Sequence, residues 1–168
     1  MTEAQKNRIK TKISKIKKAL AADKKHWGGF YHDGGGLRYA QPELYIKLND
    51  YTGALRYFNW FDKNFPDDGG TPKFFFEYAL TLFKTSRIEK AKNKILEAHK
   101  MNQYLVDYFL DRNSVAEVND QSEWEKSSLV QYFDYKKENP IMIDFTEWLS
   151  DFSKSQKFQD FIDTLKNK

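Results

Sequence analysis

The chain has 168 residues with 28 Lys or Arg, 24 Asp or Glu and no Cys. It is long enough for one compact domain or a short stack of helical hairpins sharing one core, but hardly for two independent domains, so a single unit is expected. The missing Cys excludes disulfides, thiolate metal sites and cysteine nucleophiles. Fourteen Phe, ten Tyr and four Trp supply an apolar inventory dense enough for a core, because each buried ring removes about 150–250 Å² from water.

The net charge of +4 conceals an asymmetry. Residues 1–25 carry nine basic side chains against two acids, a net +7, whereas residues 102–152 carry four against eleven, a net −7. Such separation steers partners over roughly 8–10 Å at physiological salt, or lets the two regions attract one another. No apolar run approaches the roughly 20 residues of a spanning helix. The basic N-terminus has spaced Ile residues instead of a continuous apolar stretch, so it does not read as a secretory signal. A cytoplasmic location, with no membrane partner, is the default expectation.

Ile9, Ile13, Ile16 and Leu20 fall on one stripe of a first helix whose other faces are Lys-rich. Those faces read as solvated surface. The alternative is a nucleic-acid interface through Lys6, Arg8, Lys10, Lys12, Lys15, Lys17 and Lys18, although the interleaved aromatics of a single-strand-binding groove are missing. The run HWGGFYHDGGG from His26 to Gly36 ends that helix in a loop. No Gly-Lys-Ser/Thr follows it, so it is not a phosphate cradle.

A second helix is expected from about Arg38 to Leu48, with Pro42 in its first turn, and a third from Tyr51 to Asn64 after a tight turn at Asn49 and Asp50. Ala54, Leu55, Phe58 and Phe61 form the inward face of the third. After PDDGGTP, Pro72 opens a fourth helix containing Ala79 and Leu82. Ser86 and Glu89 have capping-box spacing before a fifth, which contains Ala91, Ile95 and Ala98. Tyr104, Leu105, Tyr108 and Phe109 mark a short helix ending near Asp111 or Arg112. Ser122 and Glu125 suggest another cap, opening a helix with Trp124, Leu129, Tyr132 and Phe133 that reaches about Lys137. Asn139 and Pro140 read as the cap and first turn of the next. Phe145, Trp148, Leu149 and Phe152, then Phe158, Phe161, Ile162 and Leu165, trace two closing amphipathic helices.

The stretch LRYAQPELYIKLNDYTGALRYFNWFDKNFPDD from Leu37 to Asp68 places Tyr45, Asp50, Tyr51, Ala54, Phe58 and Pro66 at spacings that resemble one tetratricopeptide (TPR) repeat. A weaker second unit follows, with Ala54 and Ala91 separated by 37 residues, three more than the usual period of about 34. The wording also resembles a TPR-like variant found in bacterial proteins. The resemblance covers about residues 37–102, and it departs at Pro42 and Phe61, where the family favours smaller side chains.

The resemblance implies an all-α, right-handed stack of antiparallel hairpins, a TPR-like α-solenoid. Residues 1–168 would form a single domain, with 1–25 capping one side and 103–168 completing the other. It also implies a concave face built from Tyr39, Glu43 and Lys47 and from Lys73, Phe76, Leu80, Phe83 and Lys84, suited to a protein or peptide. Phe76 and Phe83 could equally be core residues covered by the C-terminal helices. Glu43 stands where carboxylate-clamping members of the family carry Asn or Lys, so no such ligand is inferred.

No nucleophile elbow or catalytic Ser element marks an enzyme, and no cofactor motif is present. His26, His32 and Asp33 could converge across the glycine-rich loop, and His99 stands apart, but their spacing matches no zinc pattern. The leading expectation is a non-catalytic, TPR-like adaptor. One alternative is an immunity-type inhibitor covering a basic effector with the acidic region around Asp107 to Asp151; a second is nucleic-acid binding through the basic first helix.

Overall fold

The computed structural model describes residues 1–115 and 124–166. The described residues are all-helical, with nine α-helices, two short 3₁₀ turns and no strand. They fall into two compact units, Met1–Gly70 and Thr71–Lys168. No described helix is long and apolar enough to cross a membrane.

In the first unit, α1 (Glu3–His26) begins with a reciprocal cap. The Thr2 hydroxyl accepts from the Gln5 amide, and the Gln5 side chain accepts from the Thr2 amide at 2.8 Å. Ile13, Ile16 and Leu20 are buried as the stripe requires, whereas Ile9, nearer the N-terminus, is half-buried. The glycine-rich loop then folds back on its own helix. Asp23 accepts the amides of His32 and Asp33 at 2.8 and 3.1 Å.

The second helix differs from its expected span. Leu37–Tyr39 forms a 3₁₀ turn, and α2 runs only Gln41–Lys47. Pro42 is the cause: in a helix begun at Arg38 its ring would clash with the carbonyl four residues back, so the helix starts where Pro42 lies in the first turn. In α3 (Tyr51–Asn64), Ala54, Phe58 and Phe61 are buried as expected. Tyr57 is the fourth inward residue, however, and Leu55 is half-buried.

In the second unit, α4 (Pro72–Lys84) is buried continuously from Phe74 to Leu82, as befits a helix with neighbours on every side. It pairs most extensively with α5 (Ile88–Met101), across which Ala79, Ala91, Ile95 and Ala98 are wholly inaccessible. Next come α6 (Leu105–Leu110), a 3₁₀ turn at Arg112–Val115, and α7 (Trp124–Tyr132). They are followed by α8 (Ile143–Ser153) and α9 (Gln156–Lys166). Helix α8 packs against α4 and α6, and α9 against α5 and α8.

The turns α2–α3 and α4–α5 share one geometry. Asn49 and Ser86 adopt φ of 55° and 60°. Each donates its amide three residues back, to Ile46 and Phe83, while the following amides of Asp50 and Arg87 reach five residues back, to Tyr45 and Leu82. This is the Schellman closure, which satisfies carbonyls that a helix end would leave orphaned. The expected Ser86/Glu89 capping box is therefore absent: Ser86 ends α4, and Arg87 precedes α5 without a side-chain cap. Asp50, by contrast, caps α3 by accepting from the Gly53 amide at 2.8 Å.

Two C-terminal expectations are also revised. Helix α7 ends at Tyr132, not near Lys137, because Phe133 and Tyr135 both pack on Phe76, at 4.8 and 5.5 Å. Residues two apart share a side in extended chain but not on a helix. Trp124 and Tyr132, expected inward, are exposed. Asn139 does not cap a helix; its side chain accepts from the Ile141 amide within a turn, and α8 starts at Ile143. Ser122 lies outside the described residues. Phe145, Leu149 and Phe152 are buried as expected, whereas on α9 only Phe158 is, with Phe161, Ile162 and Leu165 half-buried.

Candidate functional site

The face expected from α4 is filled by the chain itself. Phe76 is wholly buried under the rings of Phe109, Phe133, Tyr135 and Phe145, at centroid distances of 4.8–5.5 Å. Leu80 is equally inaccessible. Phe83 packs on Phe145 and Trp148 at 5.4 and 5.0 Å. The flanking lysines are engaged as well, Lys73 with Asp134 at 3.1 Å and Lys84 with Asp144 at 2.5 Å. These five side chains are held by α6, α8 and the segment around Phe133, and the apolar ones among them are packing residues.

The three candidates in the first unit have local partners. Glu43 pairs with Lys47 one turn along α2, the spacing at which helical side chains meet. Tyr39 belongs to the 3₁₀ turn, and its hydroxyl donates to Asp68.

On the opposite side of α2, residues 41 and 45 open a cleft of about 490 Å³. Helix α1 contributes Lys17, Leu20 and Ala21 to one wall. Gln41 and Tyr45 form the floor; Gly53, Arg56, Tyr57 and Trp60 of α3 form the other wall, and Tyr31 closes the end. Lys17 stands over the Tyr45 ring at 5.7 Å. Tyr57 and Trp60 lie 5.3 Å apart, and Tyr31 meets Trp60 edge-on at 5.6 Å. Among the described residues, two cations and no carboxylate line this aromatic cleft.

Gln41 is buried to 1% exposure, and its carboxamide oxygen receives no hydrogen bond. Buried acceptors are nearly always satisfied, and leaving one bare costs about 1–3 kcal/mol. A second concavity, of about 510 Å³, continues along α1 past Lys6, Lys10, Ile13 and Ser14, bounded by Leu48 and Asp50. The two share Lys17 and Tyr45 on their linings and so adjoin one another.

A polar lattice sets the cleft walls. Asp33, inside the unit, accepts the amides of Leu37 and Arg38 at 2.8 and 2.9 Å and one guanidinium nitrogen of Arg38 at 2.9 Å. Arg38 reaches Asp68 at 2.6 Å, and its carbonyl accepts the Tyr57 hydroxyl. Burial opposes the Arg38 charge, but Asp33, Asp68 and Tyr39 outweigh it and hold the guanidinium protonated. Burial, reinforced by the Asp33 charge, pushes the Tyr57 phenol well up, with the Gln41 amide opposing. Burial also raises Tyr31, against the opposing hydrogen bond from Trp60. Tyr31 and Tyr57 therefore stay neutral at physiological pH.

The same lattice accounts for the loop residues weighed as metal ligands. Both Asp33 oxygens are taken up by hydrogen bonds, and the rings of His26 and His32 pack on Trp27 at 5.2 and 4.8 Å. Among the described residues, no group of three or more His, Cys, Asp or Glu could hold a metal ion.

The sequence reading named Lys17 and Tyr45 for other reasons and did not single out Gln41, Arg56, Tyr57 or Trp60 as site residues. A signal was present in YFNWF, whose four aromatics within five positions exceed what one inward stripe accommodates. Comparison with protein-family models, with curated proteins and with solved structures found no match.

Proposed function

We propose that this chain is a non-catalytic, TPR-like adaptor that holds a peptide segment of a partner protein in the groove between α1, α2 and α3. The observation that carries the reading is the aromatic cleft of about 490 Å³ with a cation on each long wall and a bare, buried acceptor in its floor. Concave, largely apolar sites with a few converging polar groups are where proteins bind ligands. The hairpin resemblance supports the same reading through the twin Schellman turns, 37 residues apart, and the inaccessible Ala54 and Ala91.

Sorting a displayed peptide library on the purified chain, with the hits measured by calorimetry, tests the proposal. Enriched peptides should bind the native chain and lose affinity when Trp60 is replaced by Ala. A library yielding no binder over the background of an unrelated helical protein overturns it.

A further inference from the structure

Resting on that reading, we infer that the groove selects an extended peptide in which one aromatic residue is followed, within a few positions, by a cluster of acidic residues. The deep end is walled by Tyr31, Tyr57 and Trp60 and floored by Gln41. A planar side chain carrying an N–H fits there once the Gln41 side chain turns outward: its ring meets the half-buried rings of Tyr31 and Trp60, and its N–H supplies the donor that the buried Gln41 oxygen lacks. The indole of a Trp meets both requirements.

The shallow end explains the acids. Lys6, Lys10 and Lys17 line the adjoining concavity, and Lys17 and Arg56 both line the deep end. Among the described residues, Lys17 and Arg56 carry no ion pair, Lys6 is already paired with Glu3 at 2.7 Å, and Asp50 is the one carboxylate on the lining. Eleven residues of α1 separate Lys6 from Lys17, about 16 Å at 1.5 Å per residue, which an extended peptide spans with about five residues. Carboxylates spaced along such a peptide meet successive lysines, and the attraction steers association as well as holding the complex.

Basic charge beside aromatic rings also suits single-stranded nucleic acid. The geometry favours peptide. Tyr45 and Tyr57 are only 7% and 5% exposed, so their faces are not platforms for successive bases.

Calorimetry with the whole chain and the blocked peptide Trp-Ser-Asp-Glu-Asp tests the inference. Replacing its Trp by Ala, or its acids by Ser and Gln, should each weaken binding by about tenfold or more. The exposed substitutions Lys10→Glu and Arg56→Glu should weaken the acidic peptide by about tenfold and the neutral peptide by a clearly smaller factor, with circular dichroism matching the parent chain. In amide and indole NMR spectra, the largest shifts should fall at Trp60 and the Gln41 side chain. Equal affinity for the acidic and neutral peptides overturns the inference. So do shifts confined to other surfaces, or a short oligothymidylate binding more tightly than the acidic peptide. A library yielding binders without the aromatic-acidic pattern overturns this inference alone, whereas a library yielding no binder overturns the adaptor reading with it.

Discussion

Replacing Phe76 by Ala distinguishes a covered α4 from one presenting an open binding face. The side chain is inaccessible and touches four rings within 5.5 Å. Truncating a buried Phe to Ala costs about 3–5 kcal/mol through lost transfer energy and the cavity left behind. The upper half of that range is expected, because ring pairs of this geometry contribute about 0.5–1.5 kcal/mol beyond the area they bury. For a chain of this length, about 4 kcal/mol corresponds to a fall of roughly 8–16 °C in Tm. Urea unfolding followed by tryptophan fluorescence and far-UV circular dichroism measures it, with Trp148, near Phe83 and Phe145, as a local reporter. Were α4 an open groove, the same substitution would change stability by no more than about 0.5 kcal/mol. A measured loss below about 1 kcal/mol would refute the packing argument.

Other substitutions probe separate parts of the fold. A Cβ on Gly53 would lie 2.2 Å from an Asp50 carboxylate oxygen and 2.8 Å from the Tyr45 ring. Gly53→Ala should therefore cost about 2 kcal/mol in denaturant titration by breaking the α3 cap. Ser86→Gly should add up to about 1 kcal/mol by relieving the left-handed backbone, whereas Asn49→Gly should be nearly neutral because Asn tolerates that conformation. His99 is buried against Phe158 at 5.1 Å, and burial holds its imidazole below the ordinary value of 6.5, with Asp107 opposing. The unfolded chain then binds the extra proton, so His99 contributes stability that is present above pH 6.5 and lost as pH falls through the folded value. Between about pH 7.5 and about pH 5.5, His99→Gln should show a smaller loss than the parent chain, and an unchanged slope would refute this.

Local chemistry made much of the architecture legible. Helix α3 has the bounds expected for it, since Asp50 caps it and the Phe65–Pro66 pair cannot extend it. Ala54 and Ala91 lie at zero exposure, where a helix contact needs small side chains. Ser86 was ambiguous because small polar residues serve both as helix N-caps and at the close of a preceding helix; hydrogen bonding across five residues decides between them, and spacing alone does not. The end of α7 was hidden because Phe133 and Tyr135 answer to Phe76, more than fifty residues earlier in the chain. The groove was hidden for the same reason. Its walls come from three helices and a loop, and the bare Gln41 oxygen is a property of packing that no sequence window displays.

The groove also bears on the order of events during synthesis. Every described residue lining it lies between Lys6 and Trp60, and contacts this local in sequence form quickly. Translation therefore completes the whole lining before the ribosome has decoded α4. A ligand able to reach the nascent chain would meet that lining while later helices of the chain were still being made.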